Sequence, residues 1–518
     1  MPARRLVALL ILAGLAVVAG AAPATAADRW PRGFLWGTAA SGFQTEAGGR
    51  PSNADRHSDW WAFANDPGLI GEGVVSGDRV ARGPGFWSQW RGDLDRARDR
   101  LGSNAIRLGI EWSRIFPRST ATLDLGERID SGDLRRLDRV ADQRAVRHYR
   151  TVLAGARRRG LKVMLTLNHF TLPLWVHDPL AVRRAFAGRA PDDPVPEGLR
   201  RGGWLDPGTA DEFATFAAYV AARLGRRVDL WATLNEPLVQ ASQGYVSIPG
   251  VTGVKAPGVL SYPAAIRVVE QLALGNAAAY DAIHRQRPGA RVGLVTNLLD
   301  WRPDDPSRPL DVAGAAHADQ VFNRLFLDAA VRGVYDTNGN GATDPGERRP
   351  ALRGKADFLG VNHYSPARVQ GLGAPLTASI PLFDFSPRQV FAGHGSPMGP
   401  PCPTTCTDFG WEIDPQGLRH VLAEAAEYGR PLYVTENGID DEEDDQRPGF
   451  LSSYVAAMHQ AIDDGIDVRG YFHWSLVDNF EWAEGFRAHF GLYAFDPATL
   501  RRTARPSVRA FRRIAGGS

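Results

Sequence analysis

Eight short runs rich in apolar and β-branched residues recur along the chain, and their spacing leaves few folds open. They span Phe34–Ala39, Ala105–Glu111, Lys162–Asn168, Asp229–Asn235, Arg291–Asn297, Asp357–Tyr364, Pro431–Glu436 and Arg469–Ser475. Hydrophobicity within each run is continuous rather than alternating, which suits strands covered on both faces, as in a parallel sheet. Amphipathic stretches rich in Arg and Ala, long enough to be helices, separate most of them. This alternation predicts an α/β fold, a closed (β/α)8 barrel of the TIM type, and 518 residues leave room for long βα loops. In such a barrel all strands open onto one face, so polar residues at strand ends read as a site. Those ends carry Glu111, His169, Asn235 with Glu236, Asn297, Asn362 with Tyr364, Glu436 and Trp474.

Two of these residues define a chemistry. Thr233–Pro237 (TLNEP) and Val434–Gly438 (VTENG) each deliver one glutamate, Glu236 and Glu436, from the end of an apolar run. Cleavage of a glycosidic bond needs one carboxylic acid to protonate the leaving oxygen and one carboxylate to attack or stabilise the sugar carbon. A single glutamate at a strand end is more often structural, so the pair carries the reading.

The N-terminus has basic Arg4 and Arg5, an apolar run from Leu6 to about Ala22, and a small-residue ending at Ala24-Thr25-Ala26. Residues 1–26 therefore read as a secretory signal peptide, with 27–518 as one domain; an uncleaved membrane anchor is the alternative. Without the leader, 58 basic residues balance 58 acidic ones, which gives no reason to expect nucleic acid or a membrane surface as partner. Only Lys162, Lys255 and Lys355 are lysines, an arginine bias without functional message at this level. An oxidising exterior would favour a disulfide between Cys402 and Cys406, within a Pro/Gly-rich stretch from Gly371 to Thr407 that reads as an ordered loop or a disordered insertion.

Asp336 to Glu347 (DTNGNGATDPGE) fits the spacing of a twelve-residue calcium loop. Asp336, Asn338, Asn340, Asp344 and Glu347 would supply side-chain oxygens, Ala342 its carbonyl, and Gly341 the turn. A helix over Gln320–Arg332 could precede it, while Pro350 argues against a regular helix after it, so a full EF-hand is not expected. A polar surface turn is the competing reading.

FLWGTAASGFQTEAG, IEWSRIFP, TLNEP, DFLGVNHY, YVTENGI and GYFHWSLVDNFEWAEGFRAHFGL together resemble glycoside hydrolase family 1, the retaining β-glucosidases and β-galactosidases, from about Trp30 to the C-terminus. SDWW, VSGDRVARGPGFW, WVHDPLAVRR and TDFGWEIDPQGL resemble the broad-specificity β-glycosidases of archaea within it. The resemblance implies Glu236 as general acid/base, Glu436 as nucleophile, and Arg107 and Tyr364 as the groups that hold Glu436 as an anion. It implies Gln44, His169, Asn235, Asn362, Glu481 and Trp482 as the polar glycone pocket, and Trp474 as its floor. Sugars present polar edges and apolar C–H faces, which such a set matches. An anionic Glu481 would repel a 6-phosphate, so phosphorylated sugars are not expected. Two departures stand out, Phe170 where the family has Trp and His363 where it has Tyr, and the first could loosen glycone discrimination. The expectation is a secreted or envelope-associated enzyme acting on small β-glycosides or oligosaccharides, with no cofactor for catalysis. A transglycosidase, or a sugar-binding protein on the same barrel, are the alternatives.

Overall fold

The computed structural model describes residues 30–247, 254–375, 384–392 and 400–516. The leader read in residues 1–26 lies outside these, as do residues 376–383 and 393–399 of the long stretch after the sixth strand. Eight strands form a closed parallel barrel: β1 (Leu35–Ala40), β2 (Ala105–Gly109), β3 (Lys162–Asn168), β4 (Leu230–Asn235), β5 (Val292–Asn297), β6 (Phe358–Asn362), β7 (Leu432–Asn437) and β8 (Val468–His473). Each strand pairs with its chain neighbours, and β1 closes on β8 with Trp36 opposite Tyr471. All eight predicted runs are therefore strands.

One principal helix follows each strand: α1 (Phe86–Asp95), α2 (Gln143–Arg158), α3 (Thr209–Leu224), α4 (Tyr262–Gln286), α5 (Pro309–Ala318), α6 (Pro415–Ala426), α7 (Arg447–Asp463) and α8 (Ser507–Gly516). Their starts follow from local chemistry. Asp142 caps α2 by accepting from the amides of Arg144 and Ala145, and Ser261 caps α4 ahead of Pro263. Arg157 and Arg158 close α2 against its negative dipole end.

Two apolar layers hold the barrel. Between strands and helices lies the large core, including Trp36, Trp112, Trp204, Phe213 and Trp231. Inside the barrel Met164, Leu230, Phe358, Tyr433 and Phe472 fill the lumen beneath the C-terminal face. Gly293 is what lets Phe358 lie flat there, since a Cβ at 293 would sit 2.5 Å from its ring.

The long insertions gather around the C-terminal face. Asp300–Pro303, Pro366–Gly371 and Phe385–Arg388 make a small three-stranded sheet, so the described part of the stretch after β6 is ordered. Cys402 and Cys406 are disulfide-bonded, with Cα atoms 6.1 Å apart. Beyond them Trp411 packs on Tyr364 with ring centroids 5.4 Å apart, tying this loop to the strand ends. After α5, loosened helical turns run on to Arg332, and only a single turn, Pro350–Leu352, follows the 336–347 loop. Among the described residues no complete EF-hand forms. Among the described residues no helix is long and apolar enough to cross a membrane.

Candidate active site

Both glutamate-bearing strands lose regular register just before they deliver their carboxylates. From Ala232 to Asn235 β4 advances three positions while β5 advances two, from Gly293 to Val295, and β7 slips between Val434 and Glu436 against β6. Such bulges re-aim a side chain without breaking the sheet. Glu236 then enters the left-handed region at φ +49° and starts the short helix Pro237–Tyr245, with Pro237 in the position where a missing N–H costs nothing. Beyond Glu436, a Cβ at Gly438 would run into the carbonyl oxygen of Trp474, so glycine lets β7 and β8 bring Glu436 and Trp474 to one place.

The two carboxylates sit in different surroundings. Glu436 is 3% exposed; Arg107 Nη1 donates to its Oε1 at 2.6 Å and the Tyr364 hydroxyl to its Oε2 at 2.6 Å. Burial, and the charges of Glu436 and Glu236, push the Tyr364 hydroxyl well above its ordinary range, so it remains a donor. Among the described residues Glu236 has no cation in direct contact, and it accepts from Asn362 Nδ2 at 2.7 Å and from Asn297 Nδ2 at 3.4 Å. Burial first, and the charge of Glu436 second, push it up to about 7, against the pull of Asn362, Lys255 and Arg107.

One hydrogen-bond chain orients the rest. Thr435 donates to Asn362 Oδ1 at 2.7 Å, which turns the Asn362 amide nitrogen toward Glu236 and Asn235. Arg107 can only donate, and Nη2 reaches Asn235 Oδ1 at 2.5 Å, so Asn235 Nδ2 must point at His169 Nε2, 3.3 Å away. His169 is held neutral by burial and by the charges of Arg107 and Lys255, accepts at Nε2, and therefore carries its proton on Nδ1. Its ring lies nearly parallel to Trp474 and Trp482, 5.8 and 6.0 Å between centroids. Gln44, fixed by a 2.8 Å bond from Ser41, donates to Asn479 and to Glu481 Oε2 at 3.2 Å. All of the expected catalytic and glycone residues thus converge on one mouth.

One expectation needs correction. Glu111 follows β2 but serves as a buried brace, accepting from Phe43 N at 2.8 Å and from the Thr171 hydroxyl at 2.6 Å. Burial pushes it up to about 8, so the strand-end rule overreached here. His363, the departure from the family's Tyr, has its Nδ1 bonded to the Leu298 carbonyl at 2.8 Å. Glu481 is also pushed up to about 8, by burial and by Glu436, Glu236 and Asp440 against the pull of Lys255. One site residue was missed altogether. Lys255 is 5% exposed, with Nζ 4.1 Å over Phe170 and 4.7 Å over Trp482. Nothing in the sequence marks it: only in the structure do Lys162 and Lys355 pair with Asp229 and Asp281, whereas Lys255 lies against the aromatic rings of the mouth.

The 336–347 loop is an αβ connection, on the opposite face from the site. Asp336 accepts from the amides of Gly339 and Gly341 at 2.7 and 2.8 Å, and Glu347 from Thr337 N and Asp344 N at 2.7 and 2.8 Å. Asn338 and Asn340 both turn their amide nitrogens to Asp344, and Ala342 N bonds Asn340 Oδ1. Among the described residues no group of three or more His, Cys, Asp or Glu is placed to hold a metal.

A barrel that presents two buried glutamates, an arginine and a tyrosine on one of them, and an amide-histidine-tryptophan pocket beside the other defines the class of barrel glycoside hydrolases. The profile of glycosyl hydrolase family 1 matches residues 26–180 and 194–517, and the chain belongs to that family. It is 38% identical to the β-galactosidase of Pyrococcus woesei (94% of this chain, 97% of the relative) and 30% identical to the β-glucosidase of an Agrobacterium species (96% and 97%). The crystal structure of the β-glycosidase from the hyperthermophile Thermosphaera aggregans superposes with a TM-score of 0.80 at 36% identity, covering 94% of this chain and 96% of that one.

Proposed function

We propose that this chain hydrolyses terminal non-reducing β-D-glucosyl units, and β-D-galactosyl or β-D-fucosyl units, from small glycosides by a two-step retaining reaction. The observation that carries this reading is the asymmetry of the two glutamates. Glu436 is ion-paired with Arg107 and bonded by Tyr364, as a nucleophile requires, while Glu236 is pushed up to about 7 and is available as an acid. In the first step Glu436 forms a bond to the anomeric carbon, the glycosidic C–O bond breaks, and Glu236 gives its proton to the leaving oxygen. Esterified Glu436 no longer repels charge on Glu236. Glu236 then takes a proton from water, whose oxygen displaces Glu436 and restores the starting state. The relatives named β-galactosidase and β-glucosidase support the glycone range. The leader read in residues 1–26 supports secretion.

The test is mass spectrometry after incubation with a 2-deoxy-2-fluoro-β-glucoside carrying a good leaving group. A fluoroglycosyl ester on the peptide containing Glu436, with product of retained anomeric configuration, is expected. Glu436→Gln should lose turnover of p-nitrophenyl β-glucoside, β-galactoside and β-fucoside while melting as a folded protein. Inverted product, or wild-type-like turnover by the variant, would remove Glu436 from this role.

The 336–347 spacing further supports a calcium ion in that loop. An amide turned by 180° presents oxygen where nitrogen now lies, so Asn338 and Asn340 can join Asp336, Asp344, Glu347 and the Ala342 carbonyl as ligands.

A further inference from the structure

Among the described residues of the mouth, Lys255 is a cation that the reaction above does not use. It comes from the loop after the short helix that Glu236 begins, with its backbone N–H bonded to Gln243 O at 2.9 Å. Its side chain is buried, yet Nζ makes no hydrogen bond or ion pair to any described residue. Instead it lies against the rings of Phe170 and Trp482, which adjoin in sequence His169 and Glu481, and those rings are 5.2 Å apart and nearly perpendicular. A buried ammonium needs acceptors for its three N–H groups, and ring faces satisfy only part of that need. Glu481, Glu236 and Glu436 act on it through space, which places it within reach of all three carboxylates.

We propose that Lys255 is a glycone-binding residue, an ammonium that donates to a ring hydroxyl of a neutral β-glycoside between Trp482 and Phe170. This rests on the reading of the mouth as a β-glycosidase site and adds to it a specificity determinant on the sugar. Loss of a hydrogen bond from a charged donor costs roughly ten- to a hundredfold in kcat/KM. The loss should vanish for a substrate that already lacks the partner hydroxyl, because enzyme and substrate deletions remove the same contact.

The experiment pairs wild type with Lys255→Met and Lys255→Arg, and p-nitrophenyl β-D-glucoside with its 2-, 3-, 4- and 6-deoxy counterparts and the β-glucuronide. Melting curves for all three proteins establish that the fold is kept. The expected result is a drop of at least about tenfold for Lys255→Met on the parent glucoside, partial recovery in Lys255→Arg, and no drop on one deoxy substrate. Equal losses on every deoxy substrate, or no loss at all, would make Lys255 a structural filler and overturn the proposal. A loss confined to the glucuronide would also overturn it, assigning the ammonium to an anionic glycone instead. If wild type turns over none of these compounds, the β-glycosidase reading falls and this inference falls with it. Turnover by wild type without coupling refutes Lys255 alone.

Discussion

Glu236 and Glu436 carry the same functional group and differ in what surrounds them. Arg107 and Tyr364 both reach Glu436 at 2.6 Å, whereas Glu236 meets two neutral amides, Asn362 at 2.7 Å and Asn297 at 3.4 Å. Burial therefore governs Glu236, and the pH dependence follows with a definite sign. The acid form is present below about 7, so kcat/KM should fall tenfold per pH unit as pH rises beyond that value. A pH-rate profile checks this, and an alkaline limb near pH 5 would contradict it. In Glu436→Gln one of the two raising influences is gone while burial remains. Glu236 should then titrate lower than in wild type, which carbon NMR of labelled glutamate can follow. The same shift acts on stability: a carboxyl ionising near 4.5 in the unfolded chain and near 7 when folded gives stability that is full below 4.5 and lost as pH rises through 7. The two glutamates were legible in the sequence because each ends an apolar run in a specific pentapeptide. Lys255 was not, because nothing local separates it from Lys162 or Lys355; burial against Phe170 and Trp482 does.

Strand ends and loops turn those residues into a site. The register slips in β4 and β7 aim both carboxylates, and Gly438 allows the crowding that follows. Gly438→Ala should push β7 away from the Trp474 carbonyl, costing about 1–3 kcal/mol by overpacking and most of the activity. Thermal melting with kinetics checks this; a stable, fully active variant would show that β7 has slack. At the opposite face, a calcium ion that turns Asn338 and Asn340 would bind only the folded loop. Chelator treatment should then lower the melting temperature, since a ligand of the native state stabilises it by mass action. An unchanged melting curve, with no metal in the purified protein, would leave the loop as the polar turn its hydrogen bonds already close.

At the scale of the whole chain, the barrel begins at β1, downstream of the leader read in residues 1–26. Protein recovered from a secreting host should begin near Ala27 by N-terminal mass spectrometry, and a chain expressed from residue 27 should match it in melting temperature and activity. An uncleaved N-terminus held in the membrane fraction would replace secretion with anchoring. Eight buried parallel strands, the face on which they open and the identity of both glutamates were all written locally, in continuous apolar runs and the residues that end them. Tertiary structure alone decided the rest. It turned Glu111 inward as a brace and drove Glu481 up to about 8. It also set the ammonium of Lys255 between two aromatic rings. The physical reason is common to all three: burial and through-space charge depend on what residues far away in the chain bring alongside, and a linear sequence carries no record of that distance.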